Sequence, residues 1–498
     1  MSAPPTQTPD FEVAIVGSGF SGLGMAIQLK KAGRASFVVL EKASAVGGTW
    51  RENRYPGCAC DIPSHLYSFS FAPNPAWTRR YAPRAEIQAY LDDCAERFGI
   101  RPHIRFDCEV LRAEFDERRL WWTVTTRVGT LTARHLVLGV GALSRPALPT
   151  IRGLASFEGS AFHSAQWDPA VALDDKRVAV VGTGASAIQL VPQLAPRVSA
   201  LHVYQRTPPW VLPHPDRPVT EFARALFRAA PPLQRLTRDA IYLQHELRGL
   251  GFTVDPRIMH AARWLGLRHI RKQIVDPALR AKVTPSYLPG CKRVLMSNTY
   301  YRALTRPNVD LITSGIAEIT ARGIVDASGV EHAVDAIVFG TGFAVRDFLA
   351  PMQVVGRGGA ELNALWRSDR VEAYRGTTIA GFPNLYMLMG PNTGLGHNSM
   401  IFMIEAQIGY VRRCMAELDA RGARCADVLP EAQRAYNDRL QPRLKRSVWA
   451  SGCSSWYLDA HGQNATLWPG FTFEFWFKSR RFQPRDHTFD PSSPKEIA

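Results

Sequence analysis

Two short apolar runs, Val13–Val16 and Val178–Val181, each lead directly into a glycine-rich turn. Apolar runs without polar alternation are typical of parallel strands that are covered on both faces. A helical pattern follows each turn and ends before another short apolar run. The sequence therefore predicts a strand–turn–helix–strand unit over residues 11–42 and a second one over residues 176–206.

The segments around these units predict how the domains are arranged. Residues 219–285 are predicted to be mainly helical, and residues 290–340 to return to short strands. Proline-rich stretches at 144–149 and 207–218 mark boundaries. We expect an α/β fold with two dinucleotide-binding (Rossmann-like) domains, the second inserted into the first and carrying a helical subdomain. The expected bounds are 1–145 and 340–498 for the first domain, 150–212 and 290–339 for the second, and 213–289 for the helical insertion.

Shorter elements complete the expected fold. Residues 43–85 are predicted to be a loop, and loops of that length are uncommon unless they are functional. The other predicted elements are a helix over 86–98, strands over 108–115, 121–127 and 136–139, and a helix over 399–418.

Composition limits the class of protein. The 498 residues are 46% hydrophobic and 21% charged, as in ordinary globular proteins. The formal net charge is +16, but the basic residues are scattered, so neither a nucleic-acid partner nor a membrane is expected. No secretory signal and no apolar run of the roughly 20 residues that span a bilayer are seen. We expect a cytoplasmic protein that is a monomer or a weak homo-oligomer.

The eight cysteines are dispersed, so a disulfide framework is not expected. Cys58 and Cys60 are close together, but no second Cys or His pair follows at the spacing of a zinc site. We therefore expect no metal.

The glycines of the two turns have separate physical tasks. Gly17 permits the sharp reversal after the strand, and Gly19 lets a pyrophosphate approach the backbone. Gly22 lets the helix pack on the strand, while Ala187 takes that position in the second turn, which begins Gly182-Thr183-Gly184. A helix N-terminus then offers N–H groups and a positive dipole end to phosphate.

The two units differ in charge at one matching position. Glu41 lies 24 residues after Gly17, and Arg206 lies 24 residues after Gly182. An acid there accepts both hydroxyls of an unmodified ribose, whereas an arginine suits a ribose that carries a 2′-phosphate. The simplest assignment is FAD in the first unit and NADPH in the second, which predicts a flavin-dependent oxidoreductase.

Three further stretches resemble those of class B flavoprotein monooxygenases, and specifically of type I Baeyer–Villiger monooxygenases. The motifs are Phe157-x-Gly159-x-x-x-His163-x-x-x-Trp167-Asp168, Gly47-Gly48-x-Trp50-x-x-x-x-Tyr55-Pro56-Gly57-x-x-x-Asp61, and Cys291-Lys292-Arg293. The resemblance covers nearly the whole chain. It implies an NADPH- and dioxygen-dependent enzyme that converts small ketones into esters or lactones through a flavin peroxide anion.

The resemblance also implies roles for individual residues. Arg293 falls on the family's active-site arginine, which stabilises negative oxygen, and Asp61 is expected to orient it as the second catalytic residue. Lys292 is expected to bind the 2′-phosphate, and His163 to serve as a hydrogen-bonded hinge residue. Asn398 and Met400 are candidates to line the ketone pocket. The full set of expected cofactor-binding residues is Gly17, Gly19, Phe20, Ser21, Gly22, Glu41, Lys42, Gly48, Thr49, Trp50, Asp61, Tyr67, Val110, Gly182, Thr183, Gly184, Ser186, Arg206, Thr207 and Lys292.

Other functions are compatible with parts of this pattern. An N- or S-oxygenating flavin monooxygenase has the same fold and would not need Arg293 beside the flavin. A pyridine-nucleotide–disulfide reductase needs a redox cysteine pair, usually separated by four residues, and the spacing of Cys58 and Cys60 differs from that. A non-catalytic flavin-binding sensor is the third alternative, although two complete nucleotide sites argue against it.

Overall fold

The computed structural model describes residues 8–345, 347, 349–453, 457 and 463–491. In chain order the strands are β1 Phe11–Val16, β2 Phe37–Leu40, β3 Ile104–Arg105, β4 Val110–Asp116, β5 Trp121–Thr126, β6 Gly129–Leu138, β7 Ser160–His163, β8 Arg177–Val181, β9 Ala200–Tyr204, β10 Val211–Leu212, β11 Leu295–Met296, β12 Val309–Ile312, β13 Ile316–Ile319, β14 Gly323–Asp326, β15 Glu331–Ala333, β16 Ala336–Phe339, β17 Gln353–Val355, β18 Leu385–Met387, β19 Ala423–Val428 and β20 His487–Pro491.

The α-helices are α1 Phe20–Lys31, α2 Thr49–Glu52, α3 Arg84–Arg97, α4 Ala185–Leu194, α5 Glu221–Ala229, α6 Pro231–Gly249, α7 Met259–Gln273, α8 Pro277–Val283, α9 Tyr300–Leu304, α10 Leu362–Ser368, α11 Met400–Arg421, α12 Pro430–Lys445 and α13 Thr472–Ser479. None of these described helices is long and apolar enough to cross a bilayer.

The first sheet is mixed and has the strand order β17-β4-β5-β6-β1-β2-β3, with β18 added beside β6. β1 lies between β2 and β6 and is parallel to both, with Ala14 opposite Val38 and Leu136. Ala14 and Leu136 are fully buried, which explains why this strand has no polar alternation.

The second sheet is entirely parallel, in the order β12-β9-β8-β16-β7. Its strands come from residues 160–339, between the two groups of strands that form the first sheet. The predicted α/β fold, with one dinucleotide-type unit inserted into the other, is confirmed. Helices α5 to α8 form the predicted helical subdomain between β10 and β11.

Most predicted elements lie within three residues of the observed ones, with three larger differences. The predicted loop over residues 43–85 contains the short helix α2. The strand predicted at 136–139 is the end of β6, which begins at Gly129 because the chain forms a tight hairpin with β5 there. The region predicted as short strands after residue 290 also contains helix α9.

The expectation about cysteines is wrong for two of the eight. Cys291 and Cys453 form a disulfide, with their Cα atoms 6.1 Å apart, although they are 162 positions apart in the chain. Such a pairing leaves no local signal in the sequence because only the fold brings the two segments together. The other six cysteines are free and buried.

Gly17 and Gly22 show why the first turn requires glycine. Gly17 has a φ of +95°, and a Cβ atom added to Gly22 would lie 1.8 Å from the Gly17 carbonyl oxygen. Gly184 in the second turn differs, because a Cβ atom there would meet no heavy atom of the described structure within 4 Å. The space at Gly184 is thus open toward a ligand and is not filled by packing.

Two alanine substitutions should therefore affect different properties: stability at Gly22 and NADPH binding at Gly184. We expect Gly22→Ala to reduce the free energy of unfolding by about 3 kcal/mol or more and to lower the flavin content, because the added methyl overlaps backbone. Gly184→Ala should keep the melting temperature within a few degrees and raise KM for NADPH. Thermal unfolding and steady-state kinetics of both variants test this, and equal melting temperatures would contradict it.

Candidate active site

One cleft of about 1720 Å³ lies between the carboxyl ends of the two sheets. Its lining includes Val16 and Gly139 from the first sheet and Val181, Tyr204 and Gly340 from the second. Ligands of open α/β sheets bind at this edge. The volume exceeds the about 300–1,000 Å³ that is usual for one small ligand, so there is space for two dinucleotides.

The structure brings the sequence-predicted site residues together in this cleft. The lining includes Gly17, Gly19, Phe20, Ser21, Glu41, Lys42, Gly48, Thr49, Trp50, Asp61, Tyr67, Val110, Gly182, Thr183, Gly184, Ser186, Arg206, Thr207, Lys292 and Arg293. Gly22 does not line the cleft, because it is covered by the turn that it packs against.

The Glu41 carboxylate is held at the end of β2 by four donors. It accepts from the Ser18 backbone N–H at 2.9 Å, the Ser18 hydroxyl at 2.6 Å and the Ala43 N–H at 3.0 Å. Arg51 forms an ion pair with it at 3.1 Å. The Ser18 hydroxyl can rotate away from the carboxylate, which leaves room for a ribose hydroxyl. Arg51 was not predicted from the sequence.

An aromatic wall covers the cleft near the first glycine turn. The Trp50 indole donates to the Tyr67 hydroxyl at 3.2 Å, and the Phe20 ring contacts Tyr67 edge-on with the centroids 5.2 Å apart. Burial raises the pKa of Tyr67, so its hydroxyl stays neutral. The wall is apolar with one polar tip, which suits the packing of a flat cofactor ring.

The N-termini of α1 and α4 both face this cleft without a capping side chain. Their N-cap positions are Gly19 and Gly184, and no acidic residue lies in the first turn of either helix. The N–H groups that begin each helix are thus open to an anion. Both turns therefore fit the pyrophosphate of a dinucleotide.

The second half of the cleft concentrates positive charge. Arg206 and Lys292 both line it, and neither has an ion-pair partner among the described residues. Burial and the nearby Arg206 charge lower the pKa of Lys292. The Thr183 hydroxyl donates to the Thr207 carbonyl at 3.3 Å and fixes the turn beneath them. Two cations held close together fit the 2′-phosphate of NADPH.

Arg293 and Asp61 form an ion pair inside the cleft, although 232 residues separate them in the chain. The Arg293 Nε donates to Asp61 Oδ2 at 3.1 Å, and Nη2 donates to the same oxygen. Both side chains keep about a third or more of their surface accessible from the cleft, at 43% for Arg293 and 31% for Asp61. The guanidinium is thus fixed on one side and open on the other.

The two groups stabilise each other's charge. The Asp61 carboxylate raises the pKa of Arg293. Burial raises the pKa of Asp61, but the charge and hydrogen bonds of Arg293 outweigh burial and hold it below its ordinary value. Arg293 therefore remains a cation near neutral pH.

Two parts of the chain beside this ion pair were not predicted. Cys291 is bonded to Cys453, so the segment that carries Arg293 is tied to the segment that leads to Tyr457. Tyr457 is buried within electrostatic range of Arg293, and burial raises its pKa to about 12. The only sequence signal was the position of Cys291 next to Lys292.

Cys58 and Cys60 line the cleft as free, buried thiols. Burial raises the pKa of Cys58 to about 11 and raises that of Cys60 as well. Both are therefore protonated near neutral pH, whereas thiol–disulfide chemistry needs a thiolate.

His163 and Asn398 lie in different surroundings. His163 is buried at the end of β7, its Nδ1 accepts from the Ala165 N–H at 3.1 Å, and it is not among the residues that line the cleft. Burial lowers the pKa of His163, so it is a neutral, packed side chain.

Asn398, in contrast, lines the cleft beside Met400, and its amide donates to Glu246 at 2.6 Å.

Two dinucleotide-type sites that share one cleft define the class: an oxidoreductase that holds two nucleotide cofactors together. A family model described as "Pyridine nucleotide-disulphide oxidoreductase" matches residues 14–220, which include both glycine turns.

Comparison with known proteins narrows this class. The chain is 52% identical to a Baeyer–Villiger monooxygenase of Pseudomonas aeruginosa, with 95% of this chain and 90% of that protein covered. It is 49% identical to a Baeyer–Villiger monooxygenase of Streptomyces coelicolor, with 97% and 94% covered. The crystal structure of cyclohexanone monooxygenase from Rhodococcus sp. Phi1 bound to NADP⁺ has a TM-score of 0.87 and 29% identity, covering 97% of this chain and all of that one.

The chain belongs to the type I Baeyer–Villiger monooxygenase family. The resemblance, the enzyme class and the cofactor pair FAD and NADP(H) predicted from the sequence are confirmed.

The charge at Arg206 and Lys292 should determine the choice of cofactor. We expect Arg206→Ala and Lys292→Ala each to raise KM for NADPH by about 10- to 100-fold, since a hydrogen bond to a charged group contributes about 1.5–3 kcal/mol. KM for NADH, which lacks the 2′-phosphate, should change little. Steady-state kinetics with both nucleotides measure this.

Arg322→Ala is the control for these two variants, because Arg322 is exposed and lies outside the cleft. A parallel rise in KM for NADPH and NADH would assign Arg206 and Lys292 to general positioning and not to the 2′-phosphate.

Proposed function

We propose that this chain converts small ketones into esters or lactones, with Arg293 as its catalytic cation and Asp61 as the residue that positions it. The observation that carries the proposal is the Arg293–Asp61 ion pair, which lines the one cleft shared by both dinucleotide-type turns. Ketone attack needs a cation at that place, whereas oxygenation of nitrogen or sulfur does not.

Bound FAD supplies the activation of dioxygen, using a hydride that comes from NADPH. The residues Gly17, Gly19 and Glu41 would hold the FAD, and the Trp50–Tyr67 wall would pack beside it. The rest of the chemistry depends on what the chain places around the ketone.

Arg293 has two tasks in this proposal. Its open side offers N–H donors to the negative oxygen that develops as the ketone carbon is attacked. It transfers no proton, because its pKa is raised by Asp61. Asp61 holds the guanidinium through Nε and Nη2, so the remaining N–H groups keep a fixed direction toward the cleft.

NADPH would lie across the second turn, with Gly182 and Ser186 near its pyrophosphate and with Arg206, Thr207 and Lys292 at the 2′-phosphate. Asn398 and Met400 would line the ketone pocket. We place the enzyme in the cytoplasm, as a monomer or weak homo-oligomer; six of its eight cysteines are free thiols, although the Cys291–Cys453 disulfide is unusual for a reducing compartment.

Loss of the Arg293 charge should strongly slow ester formation and leave cofactor binding intact. We expect Arg293→Ala to lower the rate of ester formation by about 10²- to 10³-fold, as removal of a transition-state donor does elsewhere. FAD content and NADPH binding should remain, and Arg293→Lys should recover part of the rate. Product analysis by gas chromatography and flavin absorbance measure the two effects.

Arg118→Ala is the matched control, because Arg118 is an exposed arginine outside the cleft. If Arg293→Ala formed ester at near the normal rate, or if the unchanged protein oxygenated amines or sulfides but no ketone, the proposed function would be wrong.

Asp61→Asn keeps the shape of the side chain and removes its charge. We expect about tenfold less ester per NADPH oxidised, because the guanidinium loses its anchor. The pKa of Asp61 is below the ordinary 3.8, so the side chain is a carboxylate above that pH. Its negative charge is lost only as the pH falls further, through the lowered pKa. The ester formed per NADPH oxidised, compared between wild type and variant, should therefore keep the same ratio between about pH 6 and pH 8.

Asp93→Asn is the control, since Asp93 pairs with Arg97 on the surface. A wild-type to variant ratio that changed steeply across this pH range would mean that another titrating group governs Arg293.

A further inference from the structure

Helix α6 buries some of its polar residues and exposes its leucines. Gln234, His245 and Glu246 are 4%, 0% and 4% exposed. On the opposite side the helix and the residue after it carry five leucines at spacings of three, four or seven residues. These are Leu233 (41% exposed), Leu236 (65%), Leu243 (60%), Leu247 (59%) and Leu250 (36%), which we call the leucine stripe. Surface helices normally have the reverse arrangement.

Hydrogen bonds on the inner side fix this orientation. The Gln234 amide donates to the Asn74 carbonyl at 2.7 Å, and Arg238 donates to the His65 carbonyl at 2.7 Å. The Glu246 carboxylate accepts from Asn398 at 2.6 Å and from the Thr472 hydroxyl at 2.5 Å. Rotating the helix to bury its leucines would break these buried bonds, so the stripe is a stable feature of the surface.

Neighbouring helices add to the exposed apolar surface. Phe222 of α5 is 77% exposed and Trp264 of α7 is 61% exposed, with the Arg268 guanidinium 5.5 Å from the Trp264 ring centroid. Exposed apolar side chains on three successive helices favour a site of interaction.

The same region concentrates positive charge. Residues 213–289 contain thirteen basic and six acidic residues, an excess of seven out of the +16 of the whole chain. Arg228, Arg235, Arg263 and Arg271 are exposed and have no ion-pair partner within the described part of the chain. Exposed leucine and aromatic side chains on a segment that also carries unpaired, exposed arginines fit an anionic lipid surface.

We propose that the helical insertion docks on an anionic bilayer surface through the leucine stripe and the exposed arginines of the same segment. A second copy of the chain is a poorer occupant, because both copies would bring the same positive excess to the contact. The basic excess of this segment is visible in the sequence, but only the structure shows that the leucines of α6 are exposed beside it.

Docking would place the cleft at the lipid surface. Leu247 of the stripe and Leu265 of α7 both line the cleft, so its mouth adjoins the docking face. This part of the inference rests on the proposed function: it identifies the substrates as water-poor ketones that partition into lipid.

The test uses the FAD-loaded enzyme and vesicles of phosphatidylcholine, with or without about one-third phosphatidylglycerol. Wild-type enzyme should sediment with the anionic vesicles and hardly with neutral ones. In the double variant L236E/L243E, both positions lie outside the cleft lining. Its affinity for the anionic vesicles should be at least about tenfold lower than that of wild type. The control V128E/V330E, on exposed valines of other domains, should bind as wild type does.

Turnover separates this inference from the proposed function. L236E/L243E should oxidise a small, water-soluble ketone at the wild-type rate and a long-chain ketone supplied in anionic vesicles several-fold more slowly. Failure of wild type to sediment, or equal binding by both double variants, overturns docking and leaves ester formation untouched. Light scattering is the third measurement: a wild-type dimer that L236E/L243E dissociates, without vesicle binding, would assign the stripe to a second copy.

Discussion

The ion pair between Arg293 and Asp61 is the interaction on which the rest of the site depends. Its two members come from opposite sides of the molecule's domain boundary: Asp61 from the long loop of the first domain, and Arg293 from the chain that returns out of the helical insertion. The pair therefore forms only when both domains are folded and correctly apposed. The fold's unusual connectivity, one nucleotide domain inserted into another, is what brings these groups to one cleft.

The two halves of that cleft share the same strand–turn–helix motif but carry side chains of opposite charge. In each, a buried parallel strand ends in a glycine turn whose helix N-terminus has no side-chain cap. Under the proposed function, the residue that follows the next strand distinguishes the cofactors: an anchored carboxylate at Glu41 in one half and a cation at Arg206 in the other. A change of charge at one matching position would then give two similar turns different ligands.

Local features of this protein could be predicted from its sequence, and long-range ones mostly could not. The strand β1, the turn at Gly17 and the helix after it are encoded within about twenty neighbouring residues. The hydrophobic pattern and the glycine spacing are therefore enough to predict them. Arg293 and Asp61 became candidates only through a family resemblance. Arg51, the Cys291–Cys453 bond and the inverted face of α6 had no local signal, because each depends on contacts that only tertiary structure creates.

The covalent bond between Cys291 and Cys453 has a mechanical consequence. It joins the base of the Arg293 segment to a stretch of chain that belongs, by connectivity, to the far end of the first domain. If the nucleotide domains rotate relative to each other during turnover, these two segments must travel together as one body. The hinge for such a rotation then has to lie elsewhere, and the segment that carries Arg293 moves together with the segment at Cys453.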